Sequence, residues 1–391
     1  MKRIARLAVL AALVLSAPAR GQSAPDPSTL GPFAVGHESF ELVDPSRREI
    51  RGGVEVDRTL VVDVWYPAAP GATGAFAFYP FQVFSLGFTS TLAREGAAPV
   101  PNVARPLVVF SHGNSGISVQ STGLCETLAS HGFVVAAPNH TGNTASDAFF
   151  GSSFPFATSA RNRPLDVSAV IDRMIARSRT PGDRLFRLVN PFQIGAAGHS
   201  FGGFTALAIA SGYADVPADP RVRAVMPIAP AARILTDDEL ARITVPVFVL
   251  GGTEDTTTPI EPNSRVAFEE PSSRRVYRAD IVDAGHSHFA SVCKLADVLL
   301  ALNSPLSFIR SVVPGFDQTC SEGAFPIAEA ERIQNLYAVS FFRRHLAQDS
   351  RYEAFLDLPY AQLFEPGVLF LRRNTSFPIF WSQFLQVLER P

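Results

Sequence analysis

Gly198-His199-Ser200-Phe201-Gly202, followed by Gly203, places one serine between glycines where an apolar, strand-like run meets a helical stretch. A hydroxyl in that setting is held in a sharp strand-to-helix turn and presented at the positive end of a helix. The backbone N–H of Phe201 is then available to bind an oxyanion. The plainer alternative is an inert serine in a glycine-rich turn. A hydroxyl is a weak nucleophile at neutral pH, so a base and an orienting carboxylate are expected later in the chain, in the order Ser, acid, His. Asp255, just past the run VPVFVLGG, is the expected acid, with Glu254 and Asp283 as alternatives. Asp283-Ala284-Gly285-His286-Ser287-His288-Phe289 offers two histidines, and their i, i+2 spacing turns the two rings in different directions. Gly285 permits a tight turn directly before His286, which makes His286 the expected base and His288 the alternative base. In Phe110-Ser111-His112-Gly113-Asn114-Ser115-Gly116, the N–H of Asn114 is the expected second oxyanion donor, while His112 suits packing beneath the loop. No third and fourth ligands accompany the histidine pair, so a metal is not expected.

Positioning these groups requires strands that end on a common rim. From residue 59 onward, short runs rich in Val and Ile alternate with helical stretches, the pattern of a mostly parallel sheet with helices on both faces. Strands are predicted at 59–66, 106–112, 132–138, 193–200, 222–229, 245–252 and 275–285, with an antiparallel edge strand at 33–44. Helices are predicted near 118–131, 164–178, 201–211, 289–301 and 328–346. The fold class is therefore α/β, with a sheet of about eight strands. Only about fifteen residues separate the strand ending near Ala229 from the next, too few for a large lid at that point.

The 391 residues carry a net charge of −2, with 18% charged and 47% hydrophobic residues, which excludes a disordered chain and a basic nucleic-acid binder. Residues 1–19 read as a secretory signal peptide: Lys2, Arg3 and Arg6 precede an apolar run from Leu7 to Leu15, and Ala17 and Ala19 have peptidase spacing. That run is too short to span a bilayer, so stable membrane insertion is not expected. Cleavage removes three positive charges and takes −2 to −5, further from any attraction to phosphate backbones. In a secreted or periplasmic protein Cys293 and Cys320 are expected to pair, leaving Cys125 as a buried thiol in an apolar helix. The catalytic domain is expected at 20–346, with a Phe-rich insertion at 67–104 and a C-terminal extension at 347–391 packed on the domain. Phe76, Phe78, Phe81, Phe84 and Phe88 in the insertion, together with the phenylalanines of 141–163, are expected to form an apolar cleft wall or a satellite core.

The blocks VDPSRRE, VDVWYPA, VVFSHGNSG, LASHGFVVAAPNH, GHSFGG and AGHSHFA together resemble the α/β-hydrolase superfamily. Over roughly residues 33–346 they are most similar to its dienelactone hydrolase-like branch and the platelet-activating factor acetylhydrolases. The resemblance implies the α/β-hydrolase fold and a serine carboxylic-ester hydrolase that needs no cofactor and acts on a small-molecule ester. In this reading H-x-x-F-A favours His286, whereas similarity to cutinase-like polyester hydrolases, with S-H-F-A near the histidine, favours His288. Dienelactone hydrolases proper have cysteine where this chain has Ser200, so lactone chemistry is not implied. Platelet-activating factor acetylhydrolases carry their acid in the region of Ile228-Ala229-Pro230, where this chain has no carboxylate; Asp255 follows the general hydrolase arrangement. A catalytically silent binding protein of the same fold would have lost a triad member, and none is missing. A peptidase would need a large cap or propeller to select peptides, and the chain has no room for one.

Overall fold

In the computed structural model, residues 23–83, 86–101 and 103–374 are described. The leader expected at 1–19 and Phe84 lie outside them, as do Phe377, Phe380, Trp381 and Phe384 of the tail. The strands are β1 (Ala34–Arg51), β2 (Val54–Ala68), β3 (Phe76–Pro80), β4 (Gly87–Glu95), β5 (Arg105–Ser111), β6 (Val134–Pro138), β7 (Val189–His199), β8 (Val222–Ile228), β9 (Val247–Gly252), β10 (Arg275–Ile281) and β11 (Val368–Asn374). They form one sheet in the order β11-β10-β9-β8-β7-β5-β6-β2-β1-β4-β3. The six strands from β6 to β10 run parallel, and β2 and β11 close this block antiparallel on either side.

The helices are α1 (Thr122–Ser130), α2 (Ala145–Phe149), α3 (Phe156–Arg179), α4 (Phe201–Ser211), α5 (Asp237–Ala241), α6 (Ser264–Glu269), α7 (Val292–Ala301), α8 (Leu306–Val312), α9 (Phe316–Thr319), α10 (Ile327–His345) and α11 (Leu358–Phe364). Side chains alternate across a strand, so each central strand feeds two cores. On β9, Phe248 and Leu250 pack with α1 and α10 on one face, while Val247 and Val249 pack with α3, α4 and α6 on the other. Both faces of the parallel block are thereby covered, which is why its strands read as nearly unbroken apolar runs.

Two expectations need correction. The sheet has eleven strands among the described residues instead of about eight. The extra three are β3 and β4 from the Phe-rich insertion, bounded by Pro80 and Gly87, and β11 from the C-terminal extension, whose short apolar run VLFL gives way to Arg372 and Arg373. The insertion therefore builds the far edge of the sheet, with five strands between β3 and β7, and is not a wall directly over the nucleophile turn. Its Tyr79 and Phe88 rings meet at 5.3 Å, whereas Phe76 and Phe78 are exposed. In the extension, Tyr352, Leu356 and Phe370 are buried against the core, and β11 pairs with β10.

Cys293 and Cys320 form a disulfide with a Cα–Cα distance of 5.5 Å, tying α7 to the end of α9. Cys125 is free and buried. Among the described residues no helix is long and apolar enough to cross a membrane.

Candidate active site

Ser200 stands between β7 and α4 with φ 59° and ψ −117°, a backbone conformation that costs a non-glycine residue about 1–3 kcal/mol and persists only where the surroundings impose it. The surroundings are the neighbouring strands. A Cβ on Gly202 would meet the Ser111 carbonyl oxygen at 1.8 Å, and one on Gly198 would meet that of Gly202 at 2.3 Å. Any side chain at either position would force the turn open. The Ser200 N–H donates to Ile228 O at 2.9 Å, and its carbonyl accepts from Ala231 N–H at 3.1 Å, fixing the turn to the end of β8. Phe201 opens α4, where a helix N–H has no intrahelical acceptor and points outward.

Asp255 follows β9 and is buried; Glu254 and Asp283, the alternatives, are exposed. His286 Nδ1–H donates to Asp255 Oδ2 at 2.8 Å. The other carboxylate oxygen accepts the backbone N–H groups of Thr257 (2.9 Å) and Thr258 (2.7 Å), and the Thr258 hydroxyl lies 2.8 Å from Oδ2. Burial opposes ionisation of Asp255, but the hydrogen bonds from His286 and Thr258 outweigh it and hold the carboxyl below its usual range. An ionised acid that accepts from Nδ1 leaves Nε2 of His286 as the basic nitrogen. The His286 ring packs 4.6 Å from that of His199, the residue before Ser200, and both His286 and Ser200 are partly exposed.

His288 points elsewhere. It is fully buried, its Nδ1 accepts from Gly285 N–H at 2.9 Å, and its Nε2–H donates to Phe325 O at 3.1 Å. Burial lowers its pKa despite those backbone contacts, so it stays neutral. The two rings diverge because the segment from His286 to Phe289 is a 3-10 turn that sends one ring to Asp255 and the other into the interior.

The loop after β5 carries Asn114. Gly113 lies against Ser200, since a Cβ there would approach the Ser200 Cβ at 3.5 Å. His112 is buried beneath the loop, accepting from His140 N–H through Nε2 at 3.0 Å. Arg163, a residue that sequence reasoning overlooked, holds this loop from below. It is fully buried on α3 and donates to the carbonyls of His112 (2.6 Å) and Gly113 (2.9 Å) and to Asn143 Oδ1 (2.6 Å). One turn further on, Asp166 is also fully buried; it accepts from Arg58 on both oxygens at 2.6 Å, from Arg47 at 2.8 Å and from His140 Nδ1 at 2.9 Å. Burial alone would keep Asp166 protonated, yet Arg58, His140 and Arg47 hold its carboxyl far below the usual range. Its stabilising contribution is thus present above the titration of an unfolded carboxylate and is lost only as the pH falls through the depressed folded value. Asp166→Asn puts a neutral amide in place of one of the two carboxylates that face buried Arg58, leaving Glu49 at 2.6 Å, and is expected to destabilise the fold by about 3–5 kcal/mol, read from denaturant unfolding at pH 7. A change below about 1 kcal/mol would contradict this reading. No motif announced Arg163 or Asp166; their only sequence signal is charge on the otherwise apolar face of a long helix.

The fold brings a strained serine and a histidine–carboxylate pair to one rim, with Gly113 of the loop after β5 beside the serine. A solved structure similar to this one is a ferulic acid esterase from Streptomyces cinnamoneus, with a TM-score of 0.61, 25% identity, and coverage of 87% of this chain and 96% of that one. The chain has the α/β-hydrolase fold. A family model described as platelet-activating factor acetylhydrolase, isoform II, matches residues 72–168 of this chain, from the Phe-rich insertion through the loop of Asn114 into α3. A platelet-activating factor acetylhydrolase of Gallus gallus is 37% identical to this chain over 70 residues, 18% of this chain and 16% of the avian protein. The match thus spans about a sixth of that relative. Together the comparisons support the branch expected from the motifs of this chain.

Proposed function

We propose that the protein is a serine carboxylic-ester hydrolase in which Ser200 is the nucleophile, His286 the general base and Asp255 the orienting acid. The observation that carries this reading is the 2.8 Å contact between His286 Nδ1 and buried Asp255, on the same rim as a serine held at positive φ. Ser200 Oγ attacks the ester carbonyl carbon as His286 Nε2 takes its proton, and Asp255 stabilises the resulting imidazolium. The N–H groups of Phe201 and Asn114 hold the oxyanion. Collapse of the tetrahedral intermediate expels the alcohol, which takes the proton from His286. Water then attacks the acyl-enzyme by the same route and releases the acid.

The substrate reading is an ester with an apolar acyl chain or an aromatic acid. Its support is the Phe156 ring, more than half exposed and stacked on Phe201 at 4.8 Å, which puts an apolar face beside an oxyanion donor. Fluorescent or nitrophenyl esters of increasing acyl length test this. Phe156→Ala is expected to lower kcat/KM for hexanoate and benzoate esters about 10-fold more than for acetate, in line with about 1.5–3 kcal/mol for burying an apolar group. An identical profile in the two proteins would remove Phe156 from the substrate site. Export follows from the leader at 1–19, and the Cys293–Cys320 disulfide supports an oxidising compartment.

A further inference from the structure

The geometry points to Gln120 as a positioning residue that couples the oxyanion loop to the loop carrying the base, an inference that rests on the triad reading above. Gln120 sits in the 3-10 turn Ser118–Ser121, which the reaction scheme does not otherwise use. Its Oε1 accepts the Gly113 N–H at 3.0 Å, and its Nε2–H donates to His199 Nδ1 at 2.9 Å. His199 in turn donates Nε2–H to the His286 carbonyl at 2.9 Å. The direction of every bond in this chain is fixed. Gly113 N–H can only donate, so the amide oxygen must face it; the amide nitrogen then faces His199, whose Nδ1 must be the bare nitrogen and whose Nε2 must carry the proton. Burial drops the His199 pKa to about 3, so the ring keeps this neutral tautomer at working pH.

The main chain runs in parallel with the side-chain relay. Gln120 O accepts from Ser291 N–H at 2.7 Å, and Ser121 Oγ–H donates to Phe289 O at 3.3 Å, so the 3-10 turn is docked on the end of the base-bearing loop. Gly116 leaves space for the amide: a Cβ there would come within 2.4 Å of Gln120 Oε1. One side chain therefore sets the distance between Gly113, next to Asn114, and the backbone of His286, with the nucleophile strand clamped between them. A general base and oxyanion donors act only when held within a fraction of an ångström of the reacting atoms, and rate falls steeply with small misplacement.

The test compares Gln120→Met, which keeps the length and removes both bonds, with Gln120→Glu, which keeps an acceptor for Gly113 N–H. The substrate is p-nitrophenyl acetate, and a fluorophosphonate reports on Ser200. Gln120→Met is expected to lower kcat about 10- to 100-fold, below the 10²–10³ typical for deleting an oxyanion donor outright, with KM changed less than about threefold. Gln120→Glu is expected to recover part of that loss. A merely structural role would lower the melting temperature and leave kcat intact. That outcome, a rise in KM at constant kcat, or Gln120→Glu as impaired as Gln120→Met would each overturn the proposal. Should Gln120→Met fail to fold, kcat of Gln120→Glu relative to wild type decides: it is expected to fall about two- to tenfold, and an unchanged value overturns the proposal. Wild-type protein that resists the fluorophosphonate would instead sink the triad reading, which separates the two failures.

Discussion

Ser200→Ala is expected to lower kcat for p-nitrophenyl acetate by about 10⁴–10⁶ while leaving the fold and KM nearly unchanged. The hydroxyl supplies the bond-forming atom, so its removal deletes the acyl-enzyme route and leaves only what the oxyanion donors can do for water. The backbone conformation of the turn does not depend on Oγ. It is imposed by the bonds from Ser200 to Ile228 and Ala231 and by the close approach of Gly202 to Ser111, all of which survive in alanine. Stability from denaturant unfolding should therefore shift by no more than about 0.5–1 kcal/mol, the small range expected where no named destabilising mechanism applies. A variant that keeps a tenth or more of the wild-type rate would remove Ser200 from the chemistry.

The two histidines should separate cleanly. His286→Ala is expected to cost about 10⁴–10⁶ in kcat, because base and nucleophile act as a unit and losing either is close to losing both. His288→Ala should retain kcat within about tenfold yet lose about 1–3 kcal/mol of stability, since it leaves Gly285 N–H and Phe325 O without their buried partner. Initial rates and unfolding curves of the two variants, measured side by side, give a double dissociation. An inactive, folded His288→Ala with an active His286→Ala would reverse the assignment.

Much of this arrangement is legible in the chain because the parallel block is buried on both faces and must be written in apolar runs. β5 to β10 announce themselves as Val- and Ile-rich segments, and the glycines around Ser200 mark the turn because nothing larger fits between adjoining strands. The carboxyl ends of β7 and β9 then locate Ser200 and Asp255 without further information. The histidine choice is harder. Periodicity says only that His286 and His288 diverge; which one meets Asp255 is decided by a 3-10 turn of four residues. β3, β4 and β11 are hidden for another reason: they lie outside the parallel block that is covered on both faces, so they need no continuous apolar pattern, and β3 ends at Pro80 just before β4 begins at Gly87. The supporting groups were the least visible. Gln120, Arg163 and Asp166 are ordinary polar residues in sequence, and their roles arise from side-chain contacts with partners 7 to 119 positions away. Buried polar networks of this kind are satisfied by tertiary geometry, which local pattern does not encode.

The central claim is that Ser200 is a nucleophile activated by His286 and Asp255, and covalent trapping addresses it most directly. Intact protein treated with a fluorophosphonate, digested and read by mass spectrometry should carry one adduct, on the peptide containing Gly198-His199-Ser200-Phe201-Gly202, with hydrolysis lost in step with labelling. Ser200→Ala should take up no label. Full labelling of another residue, or hydrolysis that continues undiminished while Ser200 is quantitatively modified, would contradict the account.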